Sequence, residues 1–117
     1  MFADKSALFT AISAWIADET SATVTYGDIN TWDVSAVTDM SYLFNAKSTI
    51  NSDISGWDVG SVTTMERMFR DSVFNGDISS WDVSNVTNMG FMFRDSVFNG
   101  DISGWDVGSV TTMERMF

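Results

Sequence analysis

One stretch of the chain decides how the whole sequence is organised: Phe-Asn-Gly-Asp-Ile-Ser-Ser-Trp-Asp-Val-Ser-Asn-Val-Thr-Asn-Met-Gly-Phe-Met-Phe, residues 74–93. Its landmarks return every 24 or 25 residues, and residues 56–69 recur unchanged as 104–117. A Trp-Asp-Val block, a Val-Thr-x-Met block and a closing Phe define each copy. A period of this length indicates a repeat architecture, in which each unit buries its apolar side by stacking on its neighbours.

The apolar columns of the repeat are predicted to form the core, because they recur in register. Each Trp can bury roughly 150–250 Å², and Met fills the irregular gaps between larger side chains. No cofactor site is needed to explain these residues. The columns are Trp32, Trp57, Trp81 and Trp105; Met40, Met65, Met89 and Met113; and Phe44, Phe69, Phe93 and Phe117.

The spacing of apolar residues within one repeat predicts two short elements. Residues 78–83 are apolar at the first, fourth and sixth positions, which is typical of a leucine-rich-repeat strand and turns Asp82 outward. Residues 65–69 have helical spacing, and Thr63 with Glu66 matches a capping box at the helix start. We therefore predict an α/β repeat solenoid, a leucine-rich-repeat-like stack of one short strand and one short helix per repeat.

The ends of the sequence differ from its middle. Residues 1–24 place Leu8, Ile12 and Trp15 at helical spacing and are predicted to form an N-terminal helical cap on four tandem repeats, residues 25–117. The last repeat stops midway at Met116-Phe117, which we interpret as a truncation. Its uncovered apolar edge is expected to form a two-fold homodimer through the C-terminal repeat.

The composition argues against several classes of function. Without His or Cys, the protein has no imidazole or thiolate for a metal site or for His-dependent catalysis. A net charge of −10 disfavours nucleic acid as a partner. No apolar run approaches the roughly 20 residues that span a bilayer, and none follows Met1 as in a signal peptide. We expect no membrane insertion, no cofactor and no enzyme activity.

Two columns of aspartates are the candidate binding residues. Asp77 and its equivalents lie beside turn residues, which favours Asx-turns. Asp82 and its equivalents face outward if the strand is correct, either as a solvated face or as an acidic strip that binds Ca²⁺ or a basic partner surface. The first column is Asp28, Asp53, Asp77 and Asp101, and the second is Asp33, Asp58, Asp82 and Asp106.

Residues 74–93 resemble the tandem repeat of about 25 residues found in bacterial surface proteins and lipoproteins, which is grouped with BspA-like leucine-rich-repeat relatives. The resemblance covers residues 25–117 and implies a solenoid, display at the cell surface in a longer parent protein, and a role in adhesion or recognition. It carries no catalytic residues. On this basis we expect a non-enzymatic structural or recognition module that binds an unidentified protein or surface ligand. The alternative is a Ca²⁺-binding module that uses the stacked aspartates.

Overall fold

The computed structural model describes residues 1–117, in which two helices precede a stack of turn-rich repeats. Helix α1 spans Lys5–Ala17, helix α2 spans Glu19–Tyr26, and a single 3₁₀ turn spans Ile29–Thr31. Neither α-helix has the length and apolar character needed to cross a bilayer, in agreement with the sequence. After the 3₁₀ turn, strand-like pairing is limited to isolated parallel bridges that connect, in order, Asp39, Thr64, Asn88 and Thr112.

Helix α1 begins directly after a capping aspartate. The Asp4 carboxylate accepts a hydrogen bond from the Ala7 N–H at 2.9 Å, which caps the first turn. At the far end of the helix, the Trp15 indole packs edge-on against Trp32 of the first repeat, with 5.8 Å between ring centroids. The buried residues of the helix are Leu8, Ala11, Ile12 and Trp15. Helix α1 therefore packs on the first repeat, while the division into 1–24 and 25–117 stays a prediction.

Helix α2 was not predicted from the sequence. Asp18 separates the two helices: its backbone N–H donates to Ala14 O at 2.9 Å, and its carboxylate accepts from Ser21 N at 3.2 Å. Ala22 is the one buried residue of α2. A helix with so little buried surface leaves no apolar period in the sequence, so only its cap could have indicated it.

The predicted α/β, leucine-rich-repeat-like solenoid is wrong, because the repeats contain neither strands nor helices. They are built from β-turns whose first and fourth residues are apolar. The Trp81 N–H donates to Ile78 O at 3.2 Å, and the Val86 N–H donates to Val83 O at 3.0 Å. The first and fourth residues of a β-turn are three positions apart, so apolar residues with this spacing can lie at the two ends of a turn. The same spacing led to the incorrect prediction of a strand.

The helix predicted at residues 65–69 is absent for the same reason. The Met68 N–H donates to Met65 O at 3.1 Å, which closes a β-turn. Arg67, the third residue of this turn, has φ 55°, as in a type II turn. The Thr63 hydroxyl donates to Thr38 O of the preceding repeat at 3.2 Å, so it does not form the predicted capping box. The equivalent residues in the other repeats also have positive φ: Tyr42, Phe91 and Arg115.

Backbone hydrogen bonds that recur along the stack join each repeat to the next. In the central repeats, alternate backbone N–H groups donate to carbonyls one repeat later at 2.8–3.0 Å; the pairs are Met65–Asn88, Arg67–Gly90, Phe69–Met92 and Asp71–Arg94. The Trp indoles add a second set, because each Nε1 donates to an Ile carbonyl of the preceding repeat: Trp57 to Ile29, Trp81 to Ile54 and Trp105 to Ile78. Two donors of the first set, Arg67 and Asp71, have positive φ, which lies outside the extended region of backbone conformation, so no continuous strand forms.

A column of parallel phenylalanine rings runs through the core. The Phe44, Phe69 and Phe93 rings lie within 3° of parallel, at centroid distances of 5.4 and 5.6 Å. The indoles lie beside this column, as Trp81 does at 6.3 Å from Phe69. Of the predicted core columns, every member is buried except Met113 and Phe117, which are 42% and 70% exposed. The homodimer predicted at that repeat stays a prediction.

Candidate functional site

The structure places both aspartate columns in turns. Asp77 Oδ1 accepts a hydrogen bond from Ser79 N at 2.9 Å, which is the Asx-turn expected there. Asp82 Oδ1 accepts from Ser84 N at 3.0 Å and so forms the same turn, although the sequence analysis placed it on a strand. The same bond to the second following residue is made by the other members: Asp28, Asp33, Asp53, Asp58, Asp101 and Asp106.

These hydrogen bonds favour the ionised carboxylates. Side-chain and backbone hydrogen bonds from Ser84 lower the pKa of Asp82 below its ordinary value. Those from Ser79 do the same for the pKa of Asp77, although the charge of Asp101 in the next repeat acts to raise it. No three acidic side chains come close enough to hold a metal ion together. The columns are therefore exposed, turn-bound carboxylates one repeat apart.

The basic side chains occupy another part of the repeats. Four arginines and Lys47 lie in the segments around and after the Met column, and Lys5 of α1 reaches them by donating to Ser41 Oγ at 3.0 Å. Apart from these segments and Lys5, the protein has eleven acidic side chains and no basic one. Positive charge is thus confined to one part of each repeat. We call these segments the basic turns: residues 39–47, 64–71, 88–95 and 112–117.

Aromatic rings and arginines alternate along the basic turns. The Arg67 guanidinium carbon lies 5.3 Å from the centroid of the Tyr42 ring and 4.7 Å from that of the Phe91 ring. The guanidinium carbon of Arg94 lies 5.6 Å from the centroid of the same Phe91 ring. The Arg67 side chain also donates from Nη1 to the Tyr42 hydroxyl. Cation–π contacts contribute about 0.5–1 kcal/mol each at exposed sites, so this stack favours these positions of the arginine side chains.

Half of the basic side chains have no ionic partner, although the protein has sixteen acidic residues. Lys47, Arg70 and Arg115 form no ion pair. The three ion pairs that do form join Lys5 to Asp39, Arg67 to Glu66 and Arg94 to Asp95, at 3.3, 3.4 and 3.7 Å. The basic turns therefore have capacity to bind carboxylates that the protein itself does not use.

Arg67 and Arg70 also have side-chain nitrogen atoms that donate no hydrogen bond within the protein. Arg67 makes its hydrogen bond and its ion pair through Nη1, and its Nη2 donates to no protein atom. The Nε atoms of both arginines are buried without a hydrogen-bond partner. A buried donor without an acceptor costs free energy, but no incoming acceptor reaches a buried Nε, so the free donor that Arg67 offers to a partner is Nη2.

A groove continues this surface onto α1. It encloses about 370 Å³, within the range of ligand-binding clefts. The Phe9 and Tyr42 rings, 40% and 41% exposed, form its walls, and the Lys47 ammonium lies 5.0 Å from the Phe9 centroid. Its lining residues are Lys5, Ser6, Phe9, Thr10, Ser41 and Tyr42. We call the continuous surface the aromatic–basic strip, defined by Phe9, Tyr42, Arg67, Phe91 and Arg94.

The strip was not predicted from the sequence, in which the aspartate columns were the candidate binding residues. Tyr42, Arg67, Phe91 and Arg115 all stand two residues after a member of the Met column. Because aromatic and basic residues alternate at this position, it does not appear as a uniform column. An alignment of the repeats by the Met column would have shown the alternation, but not that the side chains stack.

Comparison with known proteins identifies the family. Residues 14–117 match the family described as "Mycoplasma protein of unknown function, DUF285". Because the match covers most of the sequence, the protein belongs to this family. The resemblance to BspA-like, leucine-rich-repeat-related surface repeats is therefore wrong, and the absence of strands agrees with this correction. No match was found among curated proteins or among solved structures.

Proposed function

We propose that this member of the DUF285 family is a non-enzymatic recognition module that binds an acidic segment of a partner protein along the aromatic–basic strip. The observation that carries the proposal is the Arg67 guanidinium, which lies between the Tyr42 and Phe91 rings while its Nη2 donates to no protein atom. At the Phe9 end of the strip, Lys47 lies 5.0 Å from the Phe9 ring centroid and has no ionic partner. Arginine donors are well suited to carboxylates, which they bind through two parallel hydrogen bonds.

The aromatic rings of the strip supply the apolar part of the proposed interface. Arginine and aromatic residues are enriched at protein–protein interfaces and among the residues that contribute most to binding. Arg67 lies between the Tyr42 and Phe91 rings before any partner arrives. Since its side chain is already ordered, binding loses less conformational entropy.

The charge distribution favours a short, extended acidic segment over a large acidic surface. The protein has a net charge of −10, and eleven of its sixteen acidic side chains lie outside the basic turns. Electrostatic interactions are screened over about 8–10 Å at physiological salt. The basic turns hold five basic and five acidic side chains, so a narrow segment in the strip meets no net negative charge, whereas a broad acidic surface also meets the aspartate columns.

We propose binding rather than catalysis because the column aspartates are equivalent to one another. Each accepts the same turn hydrogen bond, and each is exposed. Catalytic acids and bases need distinct environments that move their pKa values apart.

We also propose a location at the cell surface. Biotinylation of intact cells with a membrane-impermeant reagent tests this location.

The test uses a fluorescently labelled, extended peptide of glutamates interrupted by leucines, with a glutamine version as its matched control. Fluorescence anisotropy should show binding of the glutamate peptide that weakens as salt is added, and little binding of the glutamine peptide. Arg67→Gln and Tyr42→Ala should each weaken binding about tenfold, which corresponds to ~1.4 kcal/mol. Val24→Ala, an exposed change on α2, should leave binding unchanged.

Folding of each variant is checked by its circular dichroism melt. The proposal is wrong if the two peptides bind equally, if neither binds at low salt, or if the folded Arg67→Gln and Tyr42→Ala variants bind like Val24→Ala.

A further inference from the structure

Asn75 lies in a ladder of asparagine side chains that links three repeats. The Asn51 side-chain oxygen accepts a hydrogen bond from Asn75 N at 2.8 Å. One repeat later, the Asn75 side-chain oxygen accepts from Asn99 N, also at 2.8 Å. Asn75 is exposed, so water and hydroxide reach its amide. The ladder thus fixes the orientation of an accessible side-chain amide.

The packing of the repeat requires a glycine directly after Asn75. A Cβ at Gly76 would lie 2.9 Å from atoms of the Phe74 ring, closer than van der Waals contact allows. In the preceding repeat, the smaller Ile50 stands in the place of Phe74, and Ser52 stands in the place of Gly76. The Gly76 N–H donates no hydrogen bond to the protein. The fold therefore combines an asparagine with a following glycine whose backbone nitrogen is free.

We propose that Asn75 is a site of spontaneous deamidation through a succinimide formed with Gly76. The Gly76 nitrogen gives its proton to water or hydroxide and attacks Cγ of Asn75. A bond forms between these two atoms, the bond from Cγ to the amide nitrogen Nδ2 breaks, and the amide group leaves as ammonia after taking up a proton. Water then opens the ring at either carbonyl, which yields aspartate or isoaspartate. One water is consumed, one ammonia is released, and no redox change occurs.

The Asn99 N–H distinguishes Asn75 from the other asparagines. During the attack the Asn75 side-chain oxygen becomes anionic, and the Asn99 N–H is already directed at it. A donor placed at a developing oxyanion lowers the barrier. Asn99 is also followed by a glycine, but its side-chain oxygen accepts no hydrogen bond. Asn51 has the donor, but a serine follows it. Asn75 alone combines both features.

The two products are expected to affect the fold differently. Aspartate keeps an oxygen in place for the Asn99 N–H, whereas isoaspartate adds a carbon to the main chain and shifts the register of the ladder. Loss of stability on ageing should therefore follow the amount of isoaspartate. The variant Asn75→Asp, which has the aspartate product without the longer main chain, should melt close to the unmodified protein.

The test is peptide mapping by mass spectrometry of the folded protein during incubation at mildly alkaline pH. We expect Asn75 to deamidate about fivefold faster than Asn99, the effect of one neutral hydrogen bond, and Asn51 to stay an amide. The same protein unfolded in urea is the control, in which Asn75 and Asn99 should react at equal rates. The proposal is overturned if Asn75 in the folded protein reacts no faster than Asn99, or if it stays an amide while the unfolded protein reacts.

Discussion

Replacing Trp81 by alanine tests how the repeats are held together. The Trp81 side chain is 4% exposed, and its indole N–H donates to the Ile54 carbonyl of the preceding repeat at 3.2 Å. Truncating a buried Trp to Ala costs about 3–5 kcal/mol. The Ile54 carbonyl would lose its indole donor, which adds ~1 kcal/mol. We therefore expect the free energy of unfolding to fall by about 4–6 kcal/mol, a large part of the 5–15 kcal/mol typical of a domain.

Urea denaturation followed by far-ultraviolet circular dichroism measures this change without relying on Trp fluorescence. The midpoint should fall while the slope stays constant, since the same surface is exposed on unfolding. Trp81→Phe is the matched control: it keeps a buried ring and loses the indole donor, so it should cost about 1–2 kcal/mol. A Trp81→Ala variant within about 1 kcal/mol of the unmodified protein would refute the stacking described here.

Four further predictions test other parts of the structure. Asp82→Asn should melt close to the unmodified protein because the amide oxygen can still accept from Ser84 N, whereas Asp82→Ala should melt lower; equal losses in both variants would show that the charge itself is needed. Gly76→Ala should cost about 1–3 kcal/mol in urea denaturation through its clash with Phe74, and Gly104→Ala, which has open space around it, should cost less; equal costs would contradict the packing. Hydrogen bonds lower the pKa of seven aspartates in the folded protein. The ionised carboxylates therefore stabilise the fold fully above the unfolded pKa near 3.9, and this stabilisation is lost as the pH falls through the folded pKa values. Melting temperatures should drop below about pH 4, and a rise there would mean that relief of charge repulsion dominates. Millimolar Ca²⁺ should leave the melting temperature unchanged because no three acidic side chains converge, and a calcium-dependent rise would support the cation-binding alternative.

The repeat period allowed the buried positions to be predicted, but not the backbone that joins them. Trp81, Met89 and Phe93 are buried as the columns suggest, because stacking imposes burial on any equivalent apolar position. The predicted strand and helix were wrong because apolar residues three positions apart occur both at the ends of β-turns and in short helices. Positive φ at Arg67 and Asp71, where no glycine stands, gives no sequence signal.

The candidate site depends on contacts between repeats, which are harder to predict than positions within one repeat. The aspartates were recognised as a uniform column, and at Asp77 their turn role was also predicted. The contacts of Arg67 with Tyr42 and Phe91 join residues 24 or 25 positions apart, in a turn conformation that the sequence analysis did not predict. A column in which aromatic and basic residues alternate can be recognised as a candidate site only when the backbone conformation that brings these residues into contact is known.

The most direct test of the central claim is a nuclear magnetic resonance titration of the isotope-labelled protein with the glutamate–leucine peptide. If the aromatic–basic strip receives an acidic segment, amide shifts should change at residues 39–47, 64–71 and 88–95 and on the Phe9 side of α1. Those changes should disappear at about 1 M salt, where screening acts within ~3 Å. Shift changes confined to the aspartate columns, or no changes at low salt, would contradict the account.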